Sequence, residues 1–364
     1  MEGEVFGTTA EGETIHRYHI SGGGLTATVM EWGAVLQDLR LEGHTAPLVL
    51  GFDRFDDYPA SSPYFGAIAG RYANRIANGK FIIDGQRFQA DTNFLGKHTL
   101  HGGSKSTGKR VWSLEMRGSD FITLRLLDPD GFMGFPGNLD ITCTYRLKLP
   151  GTLSIELSAT TDQPTLCNLT NHSYFNLDDG GWDSILDHRL VINAGAYLPV
   201  DKELIPTGIV EPVEGTDFDF QLSRPIRLEK AGEQVIYDHN FCLSSHRGPL
   251  RQAAWAQGSS SGVEMEMWTT EPGVQFYAGH KVAREVSGLQ GRKYKAWAGF
   301  CLEAQAWPDS PNRPYFPQAI LWPGDRYRHV TDAGSGWRDY LGIVCVIVPS
   351  AYRSIVTVIE LPAG

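Results

Sequence analysis

Long apolar runs are missing from this chain. The longest, Leu341 to Val348, falls far short of the ~20 residues that a membrane-spanning helix requires. The N-terminal MEGEVFGTTAEGE has neither the basic start nor the apolar stretch of a signal peptide, so a soluble, cytoplasmic protein is expected. Cysteine is scarce. Cys143, Cys167, Cys242, Cys301 and Cys345 are scattered, odd in number and free of any CxxC pair, which predicts reduced thiols rather than a disulfide framework. Positive charge is also short: 32 basic residues stand against 42 acidic ones, a formal net charge of −10, with no Lys/Arg run or nucleic-acid motif. That balance argues against nucleic acid or anionic membrane as the main partner. A P-loop pattern is absent, which leaves P-loop nucleotide chemistry without support. The GGG at 22–24 precedes no helix and reads as a turn, not a dinucleotide fingerprint. His98 and His101 are three apart, but no HExxH or paired-cysteine spacing accompanies them, so no dedicated metal site is expected.

Sustained helical periodicity is nearly absent as well, and period-2 patterning takes its place. In LDITCTYRLKL, Leu139, Ile141, Cys143, Tyr145, Leu147 and Leu149 alternate with polar residues, predicting a strand with one dry and one wet face. Further strands are predicted at 25–30, 121–127, 153–161, 263–268 and 273–279. In KFIIDGQRFQ, Asp84-Gly85 between short apolar runs is a strong hairpin signal. Forty-one glycines and 20 prolines punctuate the chain as many tight turns demand. The length of 364 residues permits two domains, yet large all-β units commonly exceed that guide, and no linker or repeat divides this chain. One large all-β unit of packed antiparallel sheets is expected, with function in loops or on a concave sheet face.

Four segments concentrate polar and aromatic residues beyond what strands explain. GRYANRIANGKF (70–81) carries Arg71, Asn74 and Arg75; TLHGG (99–103) sets His101 before two glycines; NLTNHSYFNL (168–177) holds His172; GFCLEAQAWPDSPNRP (299–314) holds Glu303 and Gln305. Read singly, Arg71 and Arg75 are surface charges or members of a structural ion pair, and His101 is a loop hydrogen bonder. His172 stands between two readings: a core imidazole satisfied by Asn168, Asn171 and Ser173, or a proton donor. Glu303 differs, because a carboxylate inside an apolar strand is costly to bury unless paired or protonated. Glu303 and Gln305 share a face if Phe300–Leu302–Ala304 is the apolar side of a strand.

Together these segments resemble the aldose 1-epimerase (galactose mutarotase) family. The resemblance is carried by GFDRFDDYPASSPYFGAIAGRYANRIANGKFIIDG, LHGG, NLTNHSYFNL, YLPVDKELIPTG, YDHNF, EPGVQFYAG and CLEAQAWPDSPN, in order, from about residue 5 to 331. It implies a galactose-mutarotase-like β-supersandwich over residues 1–331, with very little helix and a sugar site in an open cleft. It implies that Glu303 is the general base and His172 the general acid, and that Arg71, His101, Asp238 and Gln305, with Asn74 less firmly, hold sugar hydroxyls or orient the reacting groups. The implied activity is interconversion of the α and β anomers of a free aldose such as galactose or glucose, in hexose metabolism, by a monomer or homodimer. Ring opening needs one base at the C1 hydroxyl and one acid at O5, so no cofactor or metal is called for.

Alternatives remain open at this stage. The substrate could be a pentose or a phosphorylated hexose, or the scaffold could serve as a non-catalytic sugar-binding or regulatory protein. A glycoside hydrolase or lyase could use Glu303 and Asp238 as its two carboxylates, but His172 would then lack a role. After PGDRYRHVT (323–331) the family pattern stops. Residues 332–364 form an atypical C-terminal segment, either a replaced end or a divergent terminal hairpin from the β-prone runs 343–348 and 354–361.

Overall fold

The computed structural model describes residues 3–329 and the strand Ile343–Pro349. Strand residues dominate, as the alternating patterns predict. Leu139–Lys148 alternates buried and half-buried side chains along its whole length and pairs antiparallel with Thr152–Thr161 without a register break. The predicted turn at Asp84-Gly85 joins Lys80–Ile83 to Gln86–Gln89, and both turn residues have positive φ (49° and 77°), the mirror-image geometry that matches strand twist. At 22–24, Gly23 and Gly24 take φ of 62° and 84° between the strands Thr14–Gly22 and Leu25–Met30, so the glycine run is a turn. The only α-helix among the described residues is Asp57–Ser61. No helix among them is long and apolar enough to cross a membrane.

Three sheets matter for the site. A four-stranded meander, Glu4–Thr8, Thr14–Gly22, Leu25–Met30 and Leu36–Leu41, shares one apolar core with a ten-stranded sheet. That sheet runs through Ser113–Arg117, Phe121–Asp128, Leu139–Lys148, Thr152–Thr161, Ile343–Pro349, Val263–Thr269, Arg251–Gln257, Arg189–Ile192 and Arg224–Pro225, with Tyr327–His329 also paired to Thr152–Thr161. The architecture is the all-β, antiparallel supersandwich expected. Within 332–364, the run expected at 343–348 is strand Ile343–Pro349, paired with Thr152–Thr161 and Val263–Thr269. The origin of that segment and the run at 354–361 lie outside the described residues.

The third sheet, of five strands, is Glu211–Pro212, Ala196–Tyr197, Asp238–Cys242, Gly273–Tyr277 and Cys301–Gln305. Its faces differ. Phe241, Val274, Phe276, Leu302 and Ala304 point into the main core. Their alternates on the opposite face include Asp238, Asn240, Gln275, Glu303 and Gln305, which a sheet of period 2 places together.

Candidate active site

Register assembles the polar face. Asn240 lies opposite Gln275, and Gln275 opposite Glu303, forming a row across three adjacent strands. Asp238, Gln305 and Cys301 flank the row by two residues along their strands. Loops complete the floor: His172 follows the short strand Thr170–Asn171, and Asn74, Arg75 and His101 come from the segment around Arg75–Ile76 and Thr99–Leu100, which pair with each other. A shallow indentation is bordered by Asn74, Arg75, Asp238, Asn240, Gln275 and Pro308.

His172 and Glu303, distant in sequence, meet here. His172 Nε2 stands 3.5 Å from Glu303 Oε2, and both residues are at most 5% exposed. The distance is beyond that of a made N–H···O bond, and Glu303 Oε2 has no hydrogen-bond partner among the described residues. The Tyr64 and Tyr174 rings lie within 20° of parallel to the His172 imidazole at 5.9 and 5.1 Å, and His101 meets it edge-on at 5.1 Å. Asn74 and His101 both adopt left-handed backbone (φ 64° and 52°) and secure each other. The Asn74 amide donates to His101 Nδ1 at 3.2 Å, and the His101 amide donates to the Asn74 carbonyl at 2.9 Å. Because Nδ1 accepts, a neutral His101 carries its proton on Nε2 and acts there as a donor.

The structure does not bring Arg71 to this site. Its guanidinium is fully buried and spent on protein oxygens: Nε donates to Asp128 Oδ2 (2.8 Å), Nη1 to the carbonyls of Pro136 and Gly137 and to Thr165 Oγ1, and Nη2 to the carbonyls of Asp128 and Pro129. All five N–H groups are engaged, so none is left for a sugar hydroxyl. Arg75, four residues on, takes the expected place. Its Nη2 lies 3.4 Å from Asp238 Oδ2, its Nη1 donates to Asn74 Oδ1 at 3.4 Å, and its Nε has no partner. Gln275 is a residue that the sequence did not single out; it donates to Asp238 Oδ1 at 2.6 Å and leaves its own Oε1 unpartnered. The signal was the lone polar side chain within the strand Gly273–Tyr277. Gln305 is fully buried, donates to Asn240 Oδ1 at 3.4 Å, and also leaves Oε1 unpartnered. Buried polar atoms are nearly always paired, so Glu303 Oε2, Gln275 Oε1, Gln305 Oε1 and Arg75 Nε in one region mark a place built for a polar ligand. Of the aromatic residues nearby, Trp307 packs on Phe316 and donates to the Pro272 carbonyl, and Phe175 packs on Phe300, which makes both core residues.

Burial dominates the electrostatics. It pushes the Glu303 carboxyl well above the usual carboxylate range; the Asp238 charge adds to that and Arg75 opposes it. It pulls His172 down to about 4, against a smaller pull from Asp238. His101 is driven well below 6.5 by burial, with His172, Arg75 and Lys109 acting the same way. Asp238 goes the other way: burial would raise it, but Arg75 and the Gln275 amide outweigh that and keep it an anion. The site therefore holds one firm anion–cation pair, Asp238 and Arg75, beside a carboxyl and two imidazoles with little preference for charge.

His101, His172 and Glu303 are also the ligand types of a metal centre, with one ligand atom of each within 4.8 Å of the others. The donor set fits a metal poorly. Ligating histidines donate their second N–H outward. The Asn74 amide does the reverse, occupying the Nδ1 lone pair of His101 and keeping the proton on Nε2. His98 is held apart in the fold, between the Asn78 amide and Glu203.

A polar sheet face on a β-supersandwich, with an unpartnered buried carboxyl facing an imidazole, is suited to proton exchange with a polar ligand. The sequence profile of the aldose 1-epimerase family matches residues 16–333, and the chain belongs to that family. It is 40% identical to the galactose mutarotase of Rattus norvegicus over 334 residues, 90% of this chain and 96% of that protein. It is 36% identical to the aldose 1-epimerase of Escherichia coli over 320 residues, 85% of this chain and 91% of that protein. Among solved structures, the aldose epimerase homologue of C. elegans superposes with a TM-score of 0.83 at 30% identity, covering 92% of this chain and 99% of that one. The galactose 1-epimerase of Lactobacillus acidophilus gives 0.77 at 25% identity, with 95% and 97% covered.

Proposed function

We propose that the protein is an aldose 1-epimerase that interconverts the α and β anomers of a free aldose such as galactose or glucose, with Glu303 and His172 as the proton-transferring pair. The observation that carries this reading is the buried Glu303 carboxyl, facing His172 Nε2 at 3.5 Å with its own oxygen unpartnered. Asp238, Arg75, Asn74 and Gln275 hold the ring hydroxyls through charged and amide hydrogen bonds, and the Nε2–H of His101 donates to a sugar oxygen. Four free cysteines among the described residues support a reducing, cytoplasmic setting.

The pair needs a single mobile proton. With Glu303 ionised and His172 protonated, Glu303 takes the proton from the C1 hydroxyl while Nε2 gives one to O5, and the C1–O5 bond breaks to leave an aldehyde. Rotation about C1–C2 presents the other carbonyl face. Closure then returns both protons: the O5 hydroxyl gives its proton to His172 while Glu303 protonates the carbonyl oxygen. The open-chain stage is accompanied by a neutral carboxyl and a neutral imidazole, and burial favours that neutral pair. The environment thus lowers the energy of the stage that the uncatalysed reaction reaches with difficulty.

A pH profile tests the proton count. Below about 4 His172 binds a second proton and the pair loses its base; on the alkaline side the pair keeps its one proton until the raised Glu303 pKa is passed. Polarimetric kcat/KM, corrected for buffer catalysis, is expected to stay flat from neutral pH down to about pH 5. A steady fall between about pH 7 and 5, as an ordinary histidine of ~6.5 would give, contradicts the assignment.

A further inference from the structure

On the far side of His172 lies a contact that the proton-transfer scheme leaves unused. Cys301 stands two residues before Glu303 on the same strand face, is fully buried, and places Sγ 3.5 Å from His172 Nδ1. The hydroxyl of neighbouring Tyr174 donates to the Pro63 carbonyl at 3.1 Å. A hydroxyl has one hydrogen. With that hydrogen committed to Pro63, Tyr174 donates none to Cys301, and the sulfur lone pairs are free to accept from Nδ1. Burial, reinforced by Glu303, keeps the thiol protonated.

From this contact we propose that Cys301 is a positioning residue that fixes the tautomer of His172, an inference that rests on the acid–base reading of that histidine. Sulfur accepts the Nδ1–H in both the imidazolium and the neutral ring. Nε2 is then the nitrogen that gains and loses the mobile proton, and Nε2 is the atom facing Glu303. The opposite tautomer would leave Nδ1 with only the weak thiol donor and point an N–H at Glu303 that a neutral imidazole does not release near neutral pH. The flanking Tyr64 and Tyr174 rings hold the plane of the imidazole, and Cys301 sets which edge carries the fixed proton.

The test is ¹⁵N NMR of the imidazole nitrogens at neutral pH, read beside steady-state polarimetry with α-galactose. Wild type is expected to show the Nδ1–H tautomer. Cys301→Ala is expected to populate the Nε2–H form and lower kcat about 10- to 10²-fold, short of the effect of losing the acid itself, with KM within about twofold. Cys301→Ser, which restores an acceptor, is expected to recover the tautomer and most of the rate. An Nε2–H tautomer in wild type overturns the proposal, as does a Cys301→Ala enzyme with unchanged tautomer and kcat. Should Cys301→Ala not fold, the wild-type tautomer and the Cys301→Ser rate still decide. The predicted tautomer in a wild type no faster than buffer would instead overturn the epimerase reading and leave the positioning of His172 standing.

Discussion

Glu303→Gln is expected to lower kcat for anomer interconversion on the order of 10²–10⁴-fold, and His172→Asn by a similar factor, because each removes one of the two proton-transferring groups. Neither is expected to unfold the protein. Glutamine matches the carboxyl in shape, and in the free protein the Glu303 oxygen it replaces makes no hydrogen bond among the described residues. The carboxyl is buried, so exchanging it for a neutral amide removes a desolvation cost. The double variant is expected to be little slower than either single one, since two groups that pass one proton act as a unit. Polarimetry with α-galactose and α-glucose, alongside thermal unfolding, checks all three. Single variants that retain wild-type rates would reassign the chemistry to other side chains in the cleft.

The second large effect separates two arginines four residues apart. Arg71→Ala is expected to cost about 3–5 kcal/mol of stability, the usual result of deleting one partner of a buried ion pair. It would leave the carbonyls of Pro136 and Gly137 and Thr165 Oγ1 without their donor, and Asp128 with Arg110 alone. Urea unfolding would show this as a lower midpoint. Arg75→Ala is expected to lower the unfolding midpoint less than Arg71→Ala does, since its contacts to Asp238 and Asn74 are fewer and longer at 3.4 Å, and to raise KM roughly 10- to 10²-fold, as loss of a charge-assisted hydrogen bond worth about 1.5–3 kcal/mol implies. Gln275→Ala should follow Arg75→Ala in direction with a smaller effect. If Arg71→Ala folded normally and lost affinity while Arg75→Ala kept it, the placement of the two side chains would be refuted.

The contrast also shows what a linear sequence can carry. The strands were legible because period-2 alternation is local: Leu25–Met30 and Leu139–Lys148 fall where the pattern put them, and the Asp84-Gly85 turn has the positive φ values its residues favour. Glu303 and Gln305 on one face followed from the same alternation. His172 beside Glu303 did not, since nothing local relates residues 131 apart (303 − 172); the family resemblance supplied that pairing. Arg71 was misplaced for a physical reason. Between it and Arg75 the backbone passes through a left-handed Asn74, which sends the two guanidiniums to different sides of the segment, and composition does not report that turn. Gln275 and Cys301 were overlooked because a glutamine or cysteine within a strand is unremarkable until the register sets it beside a carboxylate or an imidazole.

The row Asn240, Gln275, Glu303 has a bearing on evolvability. Its members sit on neighbouring strands, so their spacing is set by the ~4.8 Å repeat of a hydrogen-bonded sheet rather than by loop geometry. Under the proposed function, a sheet graduated in this way would be a fixed ruler laid under the sugar, with the reacting end at Glu303 and Gln275 one mark away. Substitution at the Asn240 end can alter which hydroxyl pattern is preferred without moving the zero mark where chemistry occurs. On that reading, specificity would be able to drift while catalysis is retained.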